Sequence, residues 1–436
     1  MSQSLDREQD RASQGVYTEL SNRPERLAWY QDMAIGMYLY WTLDAVFGMV
    51  NAHSVIGASR DYLRRYFRQL PAFFDPKKFD ARWYARLAKL CGFDYVTIAA
   101  KNHNGFCMWD TATTDFNVMN TPFARDVVGE YVAALRENDL AVGMYFSPDD
   151  AWFQWQRGKI PARAREYANP EHNQALLAYD KAQVRELLEK YEPDILCFDG
   201  YRDATRSLVE YSWRLRPDLM ITRGGIVTPE QERRDELRGP FEAHYTIGSQ
   251  WQYKAGNDRL KTGRELIELL IDMRSRGGTL LLAVGGPDAE GLLPRQMDDR
   301  VREIGLWNFV NGESIRKVRP WHGAREGAVA YSWNEAEGTV YAFDTGPMLD
   351  LGEWRTLRLR SVRATEQTEI EVLGQSGQVL EYRPEVDPSA RWSQHDQVLE
   401  ISYCRTQRLY NNQEWPNPLV IKISAAEKGH HLGSNK

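Results

Sequence analysis

The sequence predicts an α/β protein, a (β/α)8-like (TIM-type) barrel followed by an all-β sandwich domain. From about residue 29 to 321, short apolar runs alternate with longer amphipathic helical patterns, and alternation on that scale favours a barrel over a doubly wound sheet. The runs are apolar almost throughout, as parallel strands covered on both faces are. From about 322 to 425 the helical patterns stop and short alternating strands separated by turns replace them, which is the texture of a sandwich. Residues 1–28 read as a loose or partly helical leader and 426–436 as a tail.

The clearest barrel strands are "DYVTIAA" (94–100), "LAVGMYFS" (140–147), "DILCFDG" (194–200), "LMITRGG" (219–225) and "TLLLAVGG" (279–286). Each is rich in Val, Ile, Leu or aromatic residues and ends in Gly or a polar side chain. Between them, "RDVVGEYVAALREND" (125–139) sets Val127, Val128, Tyr131, Val132 and Leu135 on one stripe. "GRELIELLIDMRSRG" (263–277) does the same with Leu266, Leu269, Leu270 and Met273. Both are one-sided helical faces that need a sheet to cover them. In the second module, "GAVAYSWNEAEGTVYAFDTG" and "TLRLRSVRATEQTEIEVLG" alternate at the period of a strand, with no helix between them.

Composition narrows the function. The chain has 436 residues, 42% hydrophobic and 12% aromatic with 14 Trp, enough for a large core and for a binder of flat or ring-shaped ligands. A net charge of −6, from 55 basic and 61 acidic residues, lacks the basic excess of a nucleic-acid partner. No apolar run is long enough to span a bilayer, and "MSQSLDREQD" has no secretory h-region. The expectations are therefore no nucleic acid, no membrane and a cytoplasmic location. Cys91, Cys107, Cys197 and Cys404 show no CxxC spacing and read as buried thiols. The eight His form no HExxH or similar cluster, so neither a metal nor another cofactor is expected. A homo-oligomer is an expectation of size alone.

A barrel carries its chemistry at the C-terminal ends of its strands. Those ends here deliver Lys101, Asn102 and His103, then Tyr145 and Ser147, then Asp199, then Arg223. Downstream, "GPFEAHYTIGSQWQY" brings Glu242 and His244 close to Trp251. Two carboxylates walled by aromatics are the equipment of a glycosidase, one as nucleophile and one as proton donor. The residues alone leave other readings open: Asp199 also fits a turn or cap, and Glu242 competes with Glu230, Glu232 and Glu236.

These segments, in this order, resemble the retaining α-L-fucosidases of glycoside hydrolase family 29, over about Gly36 to Trp321. "IGMYLYWT" is similar to the family's opening G-M-F-I-H-W-G strand, "KNHNGF" to its K-H-H-D-G-F motif and "ILCFDG" to the L-W-F-D-G motif that carries the nucleophile. "VTPEQE" and "PFEAHYTIGSQWQY" resemble the segments around the acid/base glutamate, and "RGGTLLLAVGGPDAEGLLP" with "IGLWNFVNGESI" resembles the closing strand and helix. The resemblance implies an exo-acting hydrolase that removes a terminal L-fucose by double displacement. Asp199 would be the nucleophile and Glu242 the acid/base, with Glu230 and Asp235 as fallbacks. Tyr40, Trp41, Asn102, His103, Tyr145, Arg223 and Trp251 would bind the sugar.

The departures fall at the sugar-binding positions. Tyr40 stands where the family has His, Asn102-His103-Asn104 where it has His-His-Asp, and Gln252 where it has the Gly of W-G-Y. Phenol and carboxamide differ from imidazole in reach and charge, so a changed glycone, such as α-L-galactose or α-L-glucose, is one alternative expectation. A catalytically weak glycan-binding protein on the same fold is another.

Overall fold

Continuous apolar runs with helices between them can bury both faces only as parallel strands under a helical layer, and that is what forms. The computed structural model describes residues 20–200, 205–256, 258–409 and 414–429. In chain order the first part contains α1 (Pro24–Gln31), β1 (Ile35–Leu39), α2 (Arg60–Arg68), α3 (Ala81–Leu90), β2 (Tyr95–Lys101), α4 (Val127–Glu137) and β3 (Ala141–Phe146). It continues with α5 (Gln174–Tyr191), β4 (Ile195–Phe198), α6 (Arg206–Leu215), β5 (Met220–Ile221), β6 (Glu242–Thr246), α7 (Gly263–Ser275), β7 (Thr279–Ala283) and α8 (Arg295–Asn311). Five of these helices start on side chains that accept their orphan N–H groups. Asp80 caps α3, Asp126 caps α4, and Thr262 with Glu265 forms a capping box on α7.

The seven strands are parallel and ordered β5-β4-β3-β2-β1-β7-β6. The gap between β5 and β6 is spanned by an irregular segment that bridges at Val227 to Phe241 and at Glu230 to His244. The result is a barrel whose eighth position is a non-strand segment. Period-two alternation points Tyr38, Tyr95, Tyr145, Cys197 and Leu281 inward, where they form their own buried cluster. Helix α1, which straddles the predicted boundary between leader and barrel, closes the base of the barrel, with Tyr30 fully buried in that interior cluster.

The second part is antiparallel: β8 (Arg319–Glu326), β9 (Val329–Asn334), β10 (Thr339–Asp344), β11 (Trp354–Leu359), β12 (Val362–Arg363), β13 (Ile370–Val372), β14 (Arg391–His395), β15 (Val398–Cys404), β16 (Leu419–Ile423) and β17 (Glu427–Lys428). A five-stranded sheet, β13-β16-β10-β9-β8, and a three-stranded one, β11-β15-β14, enclose a core that includes Trp321, Tyr331, Leu359 and Ile401. Strand β17 lies at the start of the predicted tail and pairs with β12, whereas residues 430–436 lie outside the described residues. The sandwich is fastened to the barrel's helices. Arg264 of α7 donates to the carbonyls of Thr345, Gly346 and Pro416, and the Trp307 indole of α8 donates to that of Pro418 at 2.8 Å. No helix among the described residues is long and apolar enough to cross a membrane.

One glycine decides the interior's shape. A Cβ on Gly36 of β1 would lie 2.2 Å from the Tyr95 ring, so only glycine lets that phenol fill the base of the barrel. Gly36→Ala is expected to destabilise the protein by roughly 1–3 kcal/mol, the usual penalty for overpacking a core, read as a lowered thermal unfolding midpoint. An unchanged midpoint would mean that Tyr95 can move aside freely.

Candidate active site

Four adjacent strands end around one carboxylate. Tyr145 of β3 pairs in register with Cys197 of β4, and Asp199, two residues further on, keeps the same inward face beyond the strand's last residue. The Asp199 amide donates to the Phe146 carbonyl at 3.0 Å, and the Phe198 amide to that of Arg223 at 3.2 Å. These bonds set the nucleophile candidate between the ends of β3 and β5. His103 follows β2 and presents Nε2 to Asp199 Oδ2 at 3.1 Å, while its Nδ1 meets the Ser147 hydroxyl at 2.6 Å. The Tyr145 hydroxyl donates to the same Oδ2. Arg223 donates from one terminal nitrogen to Asp199 Oδ1 at 2.6 Å.

Burial alone would push Asp199 up, but Arg223, His103 and Tyr145 together hold it well below the usual carboxylate range. Burial and then Asp199 itself keep the Tyr145 phenol far above its ordinary value, so it serves as a neutral donor. Asp199 is an ionised, triply held carboxylate whose side chain is still 24% exposed.

The second terminal nitrogen of Arg223 donates to Glu230, whose side chain is 35% exposed. Arg223 Nε is held by the Thr228 hydroxyl at 3.2 Å. One guanidinium therefore grips two carboxylates that both reach solvent. Burial pushes Glu230 up, while Arg223 and His244 pull it below its usual value.

Glu242 does not occupy the acid/base position expected of it. It is the first residue of β6, at the end of the strand away from the pocket, and its side chain is 1% exposed. Both its oxygens are taken: Tyr30 and Tyr95 donate to Oε1 at 2.6 and 2.7 Å, and His244 Nε2 to Oε2 at 2.6 Å. The physical reason is strand polarity. Only the C-terminal end of β6 faces the pocket, so a side chain at its N-terminal end, pointing inward, lies in the floor. Asp235, the other fallback, pairs with Arg233 on the surface.

The remaining predicted residues divide. His103, Tyr145 and Arg223 converge on Asp199, as above. Tyr40 stacks edge-on against Tyr38 and Tyr145 at 5.2 and 5.3 Å, and half-buried Trp251 stands 6.4 Å from Tyr38. Trp41 is not a pocket wall. It packs on Phe74 and Phe79 in the main core, because the alternation that turns Tyr38 and Tyr40 inward turns Trp41 outward. Asn102 is engaged by protein, donating to Asn51 and accepting from the Asn104 amide. Lys101 also points away from the pocket, into a buried cluster with Asp150, Asp180 and Gln183. Tyr38, Asn51, Tyr30 and Tyr95 were not singled out by the sequence reading. The alternation of β1 could have found Tyr38, whereas the others depend on contacts distant in sequence.

Among the described residues, one group offers metal-ligand atoms near one another: Cys197, Glu242 and His244, within 4.8 Å. Both Glu242 oxygens and His244 Nε2 are occupied by hydrogen bonds, and burial pushes the Cys197 thiol up, away from the thiolate a metal requires. The set therefore fits a hydrogen-bonded floor and not a metal centre.

A barrel with two partly exposed carboxylates at its strand ends, walled by aromatic rings, is a glycoside hydrolase's arrangement. The family model described as Alpha-L-fucosidase matches residues 2–313, and the chain belongs to that family. The α-L-fucosidase of Dictyostelium discoideum is 26% identical over 411 residues, which cover 83% of this chain and 86% of that one. Human tissue α-L-fucosidase is 25% identical over 416 residues, covering 83% of each. Among solved structures, α-L-fucosidase isoenzyme 1 from Paenibacillus thiaminolyticus superposes with a TM-score of 0.72 at 25% identity, over 93% of this chain and 99% of that one.

Arg223→Lys keeps a positive charge but replaces a planar fork by a point cation that cannot serve both carboxylates. It is expected to lower kcat/KM on the order of 100-fold with little change in thermal midpoint, since misplaced reacting groups lose about that much. Near-normal kcat/KM would show that the bridge is dispensable.

Proposed function

We propose that this protein is a retaining exo-α-L-fucosidase that releases terminal L-fucose from a glycan or glycoside, with Asp199 as nucleophile and Glu230 as acid/base. The observation that carries the reading is the single guanidinium of Arg223 gripping both carboxylates. That grip suits the short separation, roughly 5–5.5 Å, of a double displacement rather than the wider gap that admits a water in inverting enzymes.

In the first step Asp199 attacks the anomeric carbon and the glycosidic bond breaks, with the proton of Glu230 passing to the leaving oxygen. The product is a glycosyl ester on Asp199. In the second, Glu230 takes a proton from water as the water oxygen attacks the same carbon and the Asp199 carboxylate departs. Arg223 suits both steps because it contacts both carboxylates. His103 and Tyr145 hold Asp199 so that no reorganisation is needed at the moment of attack.

The buried hydroxyls of Tyr38 and Tyr40 support a sugar in the pocket. The Tyr38 hydroxyl makes no hydrogen bond among the described residues, and the Tyr40 hydroxyl has only Asn51 and Tyr145 beside it, neither close enough for a well-formed bond. An unpaired buried hydroxyl costs about 1–3 kcal/mol, and a sugar hydroxyl would relieve it.

Asp199→Ala is expected to abolish turnover of an aryl α-L-fucoside while the fold survives; measurable turnover would refute the nucleophile's role. For Glu230→Ala the expected result is a large loss on poor leaving groups, a smaller one on activated aryl fucosides, and rescue by azide. Equal losses without rescue would assign the proton to another group. Tyr40→Phe should raise KM for the fucoside about 10-fold or more through the lost hydroxyl; an unchanged KM would remove Tyr40 from sugar recognition.

The pH profile follows from the same contacts. Asp199, held well below the usual carboxylate range, stays ionised as the pH falls through the range where an ordinary carboxylate protonates. Glu230 is also held low, and a general acid must carry its proton, so kcat/KM is expected to rise as pH falls from 7 towards about 5. A flat or rising profile towards pH 8 would contradict this assignment.

A further inference from the structure

Beneath Glu230 lies a chain of buried polar groups that no step above uses. His244 and Glu242 are two residues apart on β6, so both point into the barrel. His244 is 3% exposed and presents its two nitrogens to two different carboxylates: Nε2 to Glu242 Oε2 at 2.6 Å, and Nδ1 towards Glu230 Oε1 at 3.9 Å. Arg223 approaches the same Nδ1 at 3.5 Å. Cys197 of β4 faces the pair from across the interior. Tyr30 of α1 and Tyr95 of β2 complete the far side by donating to Glu242. Three carboxylates (Asp199, Glu230 and Glu242) thus interleave with two cationic groups (Arg223 and His244) from the pocket down to the base.

We propose that Glu242 and His244 form a buried positioning relay that fixes the placement and charge environment of Glu230 from beneath the pocket, without touching substrate. Glu242 anchors the imidazole through Nε2 and thereby aims Nδ1 at Glu230. Tyr30 and Tyr95 hold Glu242 as a carboxylate in an otherwise apolar base, which in turn favours a protonated His244. Burial works against that proton, but Glu242 outweighs it and His244 lies above the ordinary imidazole value. The positive ring then faces Glu230 and, with Arg223, lowers the pH at which Glu230 takes up from water the proton that the first step uses. This inference rests on the reading of Glu230 as acid/base.

The relay predicts a direction that a purely structural pair would not. Removing the charge of Glu242, or the ring of His244, removes a positive neighbour of Glu230 and raises its pKa. The basic limb of kcat/KM, which reports loss of the acid's proton in the free enzyme, should move to higher pH.

The test compares the pH dependence of kcat/KM on an aryl α-L-fucoside for the unsubstituted enzyme, Glu242→Gln, His244→Gln and Glu230→Ala. The expected result is a basic limb shifted upward by on the order of 1 pH unit in both relay variants, with kcat reduced and no rescue by azide. A basic limb that stays in place in folded relay variants, while Glu230→Ala abolishes it, overturns the relay and leaves the assignment of Glu230 intact. A limb that survives in Glu230→Ala overturns that assignment, and the relay with it. Azide rescue of Glu242→Gln would make Glu242 the proton donor and also refute the relay. If neither relay variant folds, by thermal melting, the pair is a structural pillar and the proposal fails.

Discussion

The arrangement of this site depends on one planar cation. Arg223 is almost wholly buried, yet it touches two carboxylates and, through Nε, a threonine hydroxyl. A buried charge is tolerated only when paired and hydrogen-bonded, so the guanidinium demands Asp199 and Glu230 as much as they demand it. Burial alone would weaken its hold on the proton, but Glu230 and Asp199 raise it well above the ordinary arginine value. Arg223 therefore ties the two carboxylates together, and with His103, Tyr145 and His244 it sets their ionisation and orientation.

That cation can sit where it does because the barrel's interior is partly polar. Small and large residues share the space: Gly36 gives way to the Tyr95 ring, and Tyr95 with Tyr30 supplies the hydroxyls that make a carboxylate bearable at the base. The aromatic residues near the pocket serve similarly. Tyr38, Tyr40 and Tyr145 pack ring against ring at 5.2–5.6 Å, which stiffens the wall beside Asp199.

Much of this was legible in the sequence where a regular period carried it. The apolar runs located the strands, and strand ends located His103, Tyr145, Asp199 and Arg223, because a residue just past a parallel strand has only one place to go. Where the structure places a residue differently from the sequence reading, the cause is position along or across a strand. Glu242 looks catalytic by its neighbours, but at the first position of β6 it faces the floor. Trp41 follows Tyr40 by one residue, and one residue is the difference between the barrel's inside and the layer outside it. Glu230 lies on a segment with no period at all; its bridge to His244 and its pair with Arg223 set it in place, and contacts of that kind leave no mark on local sequence. The two-residue spacing of Glu242 and His244 did hold the clue that both share a face.

The two carboxylates differ in how they are tethered. Asp199 rides on a strand locked by register to its neighbours on both sides, whereas Glu230 sits on the irregular stretch that fills the barrel's eighth position. Insertions or altered turns in that stretch would move Glu230 while Asp199 stays put. The two sides of the pocket are thereby carried by different kinds of backbone, one locked by strand register and one free to change in length.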